Sequence, residues 1–281
     1  MSSRAGLADS DYLGDGMTES KRKRRVLLTG AEGTIGAVVR EFLPDQYDIR
    51  SLTRQAEDFP SHVGDISDYD AIRPAFDDID VVVHLAASSA IEAPWEDILP
   101  NNLIGTYNVF EAARDAGVGA VVFASSNHAV GMFEVSGKPG LYELDDPRVY
   151  DHTVEIRPDS LYGVSKAYGE ALGRFYMEQH GMRVVCLRIG AVRADDDPYS
   201  PANIDSPRPL LEPLTPGQRR NRMRAMWMSR RDCAQLIARS FEADEVPFAI
   251  VYGISNNPRQ FWDLSHAREV LGFNPEDSAP V

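Results

Sequence analysis

Tyr162-Gly163-Val164-Ser165-Lys166 sets a phenol and an ammonium four residues apart, which on a helix is one face. A free phenol ionises near pH ~10, and a nearby cation favours the anion, so this pair can act as a general base near neutral pH. Ser125-Ser126-Asn127-His128 presents hydroxyl, amide and imidazole groups in succession. Ser126 suits a reacting oxygen, Asn127 and His128 suit neighbouring hydroxyls, and turn or strand capping is the plainer alternative. Ser88 and Ser89 are further candidates of the same kind. Thr29-Gly30-Ala31-Glu32-Gly33-Thr34-Ile35-Gly36 carries a third chemistry. Its glycines allow a tight turn and close backbone approach to a pyrophosphate, and the N–H groups of a following helix can meet the anion.

The surrounding elements are those that could position these groups. Arg25–Thr29 reads as a short apolar strand, followed by the glycine turn and a helix through Phe42. Tyr47–Leu52 reads as a second strand, Ser61–Val63 as a third, and Asp68–Phe76 as a helix with Asp68 as its N-cap. Val81–Leu85 and Ala120–Ala124 are near-continuous apolar runs, the signature of strands buried on both faces of a parallel sheet. A helical pattern covers Trp95–Ala116 between them, and Ser160–His180 leads into a strand at Arg183–Ile189. This alternation predicts an α/β fold, a Rossmann-type doubly wound parallel sheet, with Ser126 just past the fifth strand and facing the ligand crevice. Residues 193–222, rich in Pro, Asp and Arg, read as a long excursion. A helix at Ser229–Phe241, a strand at Phe248–Tyr252 and a helix at Ser265–Leu271 close the pattern. The expected organisation is a disordered tail over 1–24 and a single domain over 25–281, in which 25–190 is the cofactor-binding core and a small C-terminal portion, 191–281, mostly binds substrate.

The second strand bears on which dinucleotide binds. An NAD site usually ends that strand in Asp or Glu to hold the ribose hydroxyls. Here it ends Ile49-Arg50-Ser51-Leu52-Thr53-Arg54, and Asp48 comes too early. Arg54 can face a 2′-phosphate, unless it is a plain surface arginine with the ribose held by hydroxyls. The expected cofactor is therefore NADP, with NAD tolerated.

Composition narrows the partners. The chain has 281 residues, 29 basic against 43 acidic, and a formal net charge of −14. That balance disfavours a nucleic-acid partner. The basic run at residues 21–25 suits solvated residues before the first strand better than an import or anion-binding patch. No apolar run reaches ~18 residues, so no membrane span is expected. The first residues lack the apolar stretch of a secretory signal. Two cysteines, Cys186 and Cys233, suit buried thiols in a cytoplasmic protein, and six scattered histidines give no zinc pattern. Four of the basic residues are lysines (Lys21, Lys23, Lys138 and Lys166) and arginine supplies the other 25. An acidic, arginine-rich, lysine-poor surface suits a halophilic protein, or a bias in base composition. Against that background, a lysine retained four residues after Tyr162 favours a chemical role.

TGAEGTIG, LYGVSK and the serine at 126 together resemble the extended short-chain dehydrogenase/reductases, over about Arg25 to Ala279. The resemblance implies Ser126, Tyr162 and Lys166 as the catalytic set, with Tyr162 and Lys166 also touching the cofactor. It implies Gly30, Gly33, Thr34, Ile35 and Gly36 at the pyrophosphate, Asp65 and Ile66 near adenine, and Leu85, Ala86 and Ala87 along the cofactor. Asn102 matches the asparagine that supports the site and is expected among the cofactor-binding residues. FASSNHAVG, LYGVSKAYGE, RIG, AMWMSRRDC and IVYGISNNPR further resemble the branch that oxidises sugars at C1, which includes uronate dehydrogenases and the glucose-6-phosphate and pentose dehydrogenases of extreme halophiles. In that branch Ser89, Ser126, Asn127, His128 and Tyr162 would meet the sugar. Arg222, five before Trp227, matches the arginine that grips a uronate carboxylate. Ala191 replaces the serine that follows RIG in uronate dehydrogenases, and Arg219, Arg220, Arg222 and Arg224 could instead receive a sugar phosphate. The expectation is an NADP-preferring aldose 1-dehydrogenase that makes a lactone from a pentose such as L-arabinose. Alternatives are glucose-6-phosphate or uronate oxidation, or a nucleotide-sugar epimerase or dehydratase, whose usual SSxxVYG has no tyrosine after Val130 here. A non-catalytic NADP-binding sensor would have no reason to keep all three catalytic residues. The resemblance also implies a homo-oligomer.

Overall fold

The structure, a computed structural model, describes residues 22–205 and 212–281. Most of the expected tail, 1–21, lies outside the described residues. At its end the described basic residues are tied down: Arg22 pairs with Asp80 at 3.0 Å, Lys23 donates to the Pro44 carbonyl, and Arg24 pairs with Asp244 at 2.9 Å.

Seven strands form one parallel sheet: β1 (Arg25–Thr29), β2 (Asp48–Thr53), β3 (His62–Val63), β4 (Val81–His84), β5 (Ala120–Ser126), β6 (Arg183–Ile189) and β7 (Phe248–Gly253). Their order across the sheet is β3-β2-β1-β4-β5-β6-β7, every neighbouring pair parallel. The chain winds outward from β1 to β3, then returns to β4 and winds the other way. The reversal leaves a crevice beyond the carboxyl ends of β1 and β4, where such sheets bind ligands.

The apolar strand runs follow from burial on both faces. Val26, Leu28, Val81, Val83 and Val122 pack into one layer, while Leu27, Val82 and Val121 pack into the other. Helices α1 (Thr34–Phe42) and α9 (Arg230–Glu242) cover the first layer with Val38, Val39, Leu236 and Phe241. Helices α4 (Gly105–Asp115) and α6 (Leu161–His180) cover the second with Val109, Phe110 and Tyr176. The remaining α-helices of the described residues are α2 (Tyr69–Ile72), α3 (Trp95–Ile98), α5 (Met132–Gly137), α7 (Pro201–Ile204), α8 (Pro216–Met226) and α10 (Ser265–Leu271).

Some local expectations change. Asp68 does cap α2, accepting from the Ala71 N–H, but the helix tightens to 3-10 geometry over Arg73–Phe76. Trp95–Asp115 is helical throughout, yet Leu99–Ile104 widens into a π segment that contains Pro100, which has no N–H for the ladder. The long excursion after Gly190 contains α8, begun by a capping box in which the Thr215 side chain and the Gln218 side chain each bond the other's backbone. The described residues of 191–281 join the same sheet and core as residues 25–190. They supply β7, which pairs with β6 from Val184↔Phe248 to Ile189↔Gly253, and Phe261, Trp262 and Phe273 join the main core. Apolar residues on both sides of Gly190 share one core, so the sheet is closed only by the C-terminal part.

Candidate active site

A cleft of about 700 Å³ opens over the carboxyl ends of the strands, running from Gly30 and Asp65 to Tyr162 and Arg222. Every expected site residue lines it except Asn102 and the alternative phosphate-binding arginines Arg219, Arg220 and Arg224.

Its floor is the turn after β1. Gly30 sits at φ +68°, and a Cβ there would lie 2.7 Å from the Ala86 nitrogen, so glycine serves both the turn and the close passage of the next strand's loop. Gly33 then caps α1 with no side chain, leaving the first helical N–H groups without a side-chain acceptor on the cleft. That donor set fits a pyrophosphate. Thr29 bonds the buried His84 at 2.9 Å and also accepts from the Ala86 N–H, which fixes the Leu85-Ala86-Ala87 segment along the cleft wall. At the outer end, Asp65 accepts from Ser67, a bond that holds its carboxyl below the usual range, and the Arg54 charge acts the same way. Thr53 and Arg54 stand at the mouth with no carboxylate at the end of β2.

Tyr162 and Lys166 occupy the first turns of α6, whose N-cap Ser160 accepts from Gly163. Ser126 is the last residue of β5 rather than a residue beyond it, because β6 continues its pairing as far as Ser126↔Ile189. Its hydroxyl bonds the Tyr162 phenol and accepts from the His128 N–H. The Lys166 ammonium lies 5.4 Å from the Tyr162 ring centre and 5.1 Å from that of Phe123. Burial pushes the Tyr162 phenol up to about 12; the Ser126 bond opposes that rise and the Asp159 charge adds to it. Burial also brings Lys166 down to about 8. The protein alone therefore does not lower the phenol, contrary to the expectation from helical spacing. Desolvation outweighs the Ser126 hydrogen bond here. His84 is pushed down to about 3 by burial and by the Lys166 cation, so it is neutral at working pH.

Asn127 is 2% exposed, and its Nδ2 is buried on the cleft without an acceptor. A buried unpartnered donor is costly, and a ligand oxygen would relieve it. His128 is held by Asp159 at 2.7 Å and packs edge-on against the Tyr162 ring.

Two expected residues take other positions. Asn102 is buried behind the wall, accepting from the Ser88 N–H at 2.8 Å and donating to the Ser88 carbonyl and to Ser165. It ties the loop after β4 to α6 through its place in the π segment and has no face on the cleft. Arg222 does line the cleft, but its guanidinium is bound to Glu134 at 2.6 Å. Arg219 pairs with Glu212, Arg220 stacks over Tyr199, and Arg224 donates to the Tyr142 carbonyl; none of the three reaches the cleft.

Other parts were not apparent from spacing. Asp159 and Glu134 belong to the site's supports, as does the buried Ser125–Glu170–Arg188 network behind it. For Asp159 a signal exists: a side chain at Gly131 would run into its carboxylate, so the glycine in place of tyrosine makes room for the His128 partner. Arg193, Asp97 and Asn101 also line the cleft. Among the described residues there is no cluster of His, Cys, Asp or Glu able to hold a metal ion, and no helix long and apolar enough to cross a membrane.

A parallel sheet wound both ways about a glycine turn, with Ser, Tyr and Lys on one wall of the crevice, defines a nicotinamide-dependent enzyme of the short-chain dehydrogenase type. Residues 26–200 match the NAD dependent epimerase/dehydratase family, and the chain belongs to it. It is an NAD(P)-dependent oxidoreductase acting on a CH–OH group. The chain is similar to an NAD-dependent glucose-6-phosphate dehydrogenase of Haloferax volcanii, with 40% identity covering 90% of this chain and 94% of that one. A second Haloferax volcanii protein, an L-arabinose 1-dehydrogenase (NAD(P)(+)), is 36% identical over 91% of this chain and 97% of its own. Among solved structures, uronate dehydrogenase from Agrobacterium tumefaciens superposes with a TM-score of 0.73 at 32% identity, covering 91% of this chain and 85% of that one.

Proposed function

We propose that the protein is an aldose 1-dehydrogenase that oxidises the anomeric carbon of a neutral sugar, a pentose such as L-arabinose, to its lactone. The observation that carries this reading is the pairing of Arg222, on the cleft wall, with Glu134 behind it. The arginine placed to grip a uronate carboxylate already has a carboxylate, and the other three arginines of its helix are turned elsewhere. Asn127 Nδ2 and His128 remain to hold hydroxyls.

In this reading Ser126 holds the anomeric oxygen and Tyr162 removes its proton, with Lys166 stabilising the phenolate. Gly30, Gly33 and the first turn of α1 would hold the pyrophosphate, and Leu85-Ala86-Ala87 would line the nicotinamide's path. A bound nicotinamide dinucleotide supplies the hydride acceptor and a positive ring that favours ionisation of the phenol. The ring oxygen stays bonded throughout, which is why the product is a lactone. Asn102 positions the Ser88 loop against α6. Orientation and charge placement supply most of the rate.

The 40% identity to a glucose-6-phosphate dehydrogenase favours a second reading, in which Arg193 on the cleft wall receives a sugar phosphate. A panel of pentoses, hexoses, uronates and sugar phosphates, scored by reduced-cofactor formation at low and high salt, separates them. Highest kcat/KM on L-arabinose or another neutral aldose is expected; highest kcat/KM on glucose-6-phosphate or a uronate would refute the reading. Net cofactor reduction also separates it from an epimerase.

For the cofactor we infer a preference for NADP with NAD accepted, supported by Arg54 at the mouth and the missing carboxylate at the end of β2. Replacing Arg54→Asp should lower the NADP-to-NAD ratio of kcat/KM by about tenfold or more, the worth of one charged hydrogen bond. An unchanged ratio would remove Arg54 from cofactor choice. Cys186 and Cys233 are buried and free, and burial pushes both thiols up, which supports work in a reducing cytoplasm; the acidic, lysine-poor composition supports work in high salt.

A further inference from the structure

We infer that Glu134 is a specificity-determining residue: an internal carboxylate that occupies the anion-binding arginine of the sugar pocket and so excludes acid sugars. The inference rests on the dehydrogenase reading above and names what sets its substrate class.

Glu134 lies on α5, one side chain back from the cleft, and is 1% exposed. Its Oε1 accepts from Arg222 Nε at 2.6 Å and from the Tyr142 hydroxyl at 2.8 Å, and its Oε2 receives Arg222 Nη2 at 3.4 Å. Arg222 is 5% exposed, yet it forms part of the cleft wall together with Asn127 and Tyr162. A guanidinium so placed would otherwise meet the substrate's carboxylate through its planar fork. With Glu134 present, an arriving carboxylate meets a neutralised site and a second negative charge close behind it. Like charges brought this close repel, whereas a neutral sugar meets no such penalty. The lock is thus built from a repulsive element as well as an attractive one.

Removing the internal carboxylate should hand the arginine to the substrate. In Glu134→Gln, the ratio of kcat/KM for galacturonate over galactose is expected to rise at least about tenfold relative to the unaltered enzyme. Galacturonate, but not galactose, should raise the melting temperature of that variant and leave the unaltered protein's unchanged. Adding Arg222→Met to Glu134→Gln should abolish both gains. A folded Glu134→Gln protein with an unchanged ratio and no melting shift from galacturonate would overturn the inference.

If Glu134→Gln does not fold, Glu134→Ala purified in formate gives the second test, formate filling the vacated carboxylate position. There formate should compete with galacturonate and leave galactose oxidation untouched; equal inhibition of both sugars would overturn the inference. Failure of the dehydrogenase reading has a different signature: the unaltered enzyme would oxidise no neutral aldose, while the melting shift, which needs no turnover, would still report on the lock.

Discussion

Tyr162→Phe should lower kcat by about a thousandfold, the loss expected when a general base disappears from a proton-abstraction step. The nicotinamide dinucleotide should still bind, its Kd within about threefold, because the ring remains and only the hydroxyl is lost. Quenching of reduced-cofactor fluorescence checks the second point. The pH profile supplies a third. The phenol is pushed up to about 12 and Lys166 down to about 8, both by burial, so neither favours its charged form alone. The two charges are close enough to favour each other, and the acid limb therefore belongs to the pair. Since the active form is the deprotonated phenol, kcat/KM should rise with pH on that limb and level off once the pair has lost one proton. In Tyr162→Phe the limb should vanish. A variant with near-normal turnover, or one that keeps the limb, would refute the assignment of Tyr162 as base.

Breaking the Glu170–Arg188 pair should cause the largest loss of stability. Both residues are buried, the guanidinium grips the carboxylate through two bonds of 2.9 Å, Ser125 donates to it at 2.6 Å, and the Tyr252 hydroxyl lies 3.2 Å from Arg188. Arg188→Ala leaves a buried carboxylate without its cation, which costs about 3–5 kcal/mol. Glu170→Leu with Arg188→Met together should recover most of that, because a packed apolar pair strands no charge. Urea midpoints of the three proteins check the ordering. A single variant within about 1 kcal/mol of the unaltered protein would mean that water or another group already solvates the pair. The network joins β5, α6 and β6 directly behind Ser126 and Tyr162, so Arg188→Ala should also lower kcat in the fraction that stays folded.

How much of this was legible in the sequence depends on whether a signal was local. The central strands β1, β4, β5 and β6 announced themselves because burial on both faces leaves no room for polar alternation. The glycine turn, Ser126, Tyr162 and Lys166 were readable because turn, strand and helical spacing are short-range. Helix α8 was hidden by its composition: an arginine, Arg222, stands at one of its buried positions, which reads as a polar loop. The Thr215/Gln218 capping box was the available clue. Glu134 had no clue of this kind. Its partner lies 88 residues away, and no periodicity connects them. The upward push of burial on the phenol was hidden for a related reason: spacing shows proximity, but desolvation depends on what packs around the pair. That Asn102 supports the site from behind its wall, through Ser88 and Ser165, was not legible, because its distance from Ser88 in sequence gives no indication of which side it occupies.

The seventh strand carries a consequence for synthesis. While the protein is being made, β6 and its Arg188 leave the ribosome well before residues 248–253 exist to pair with them. During that interval the nascent chain holds an apolar strand with an open edge and an arginine whose Tyr252 partner has not been made. Open apolar edges recruit other chains, so holding chaperones have reason to bind at this stage. The same dependence makes residues 25–190 a poor unit to transplant: a chimaera that borrows them must bring its own strand to lie beside β6.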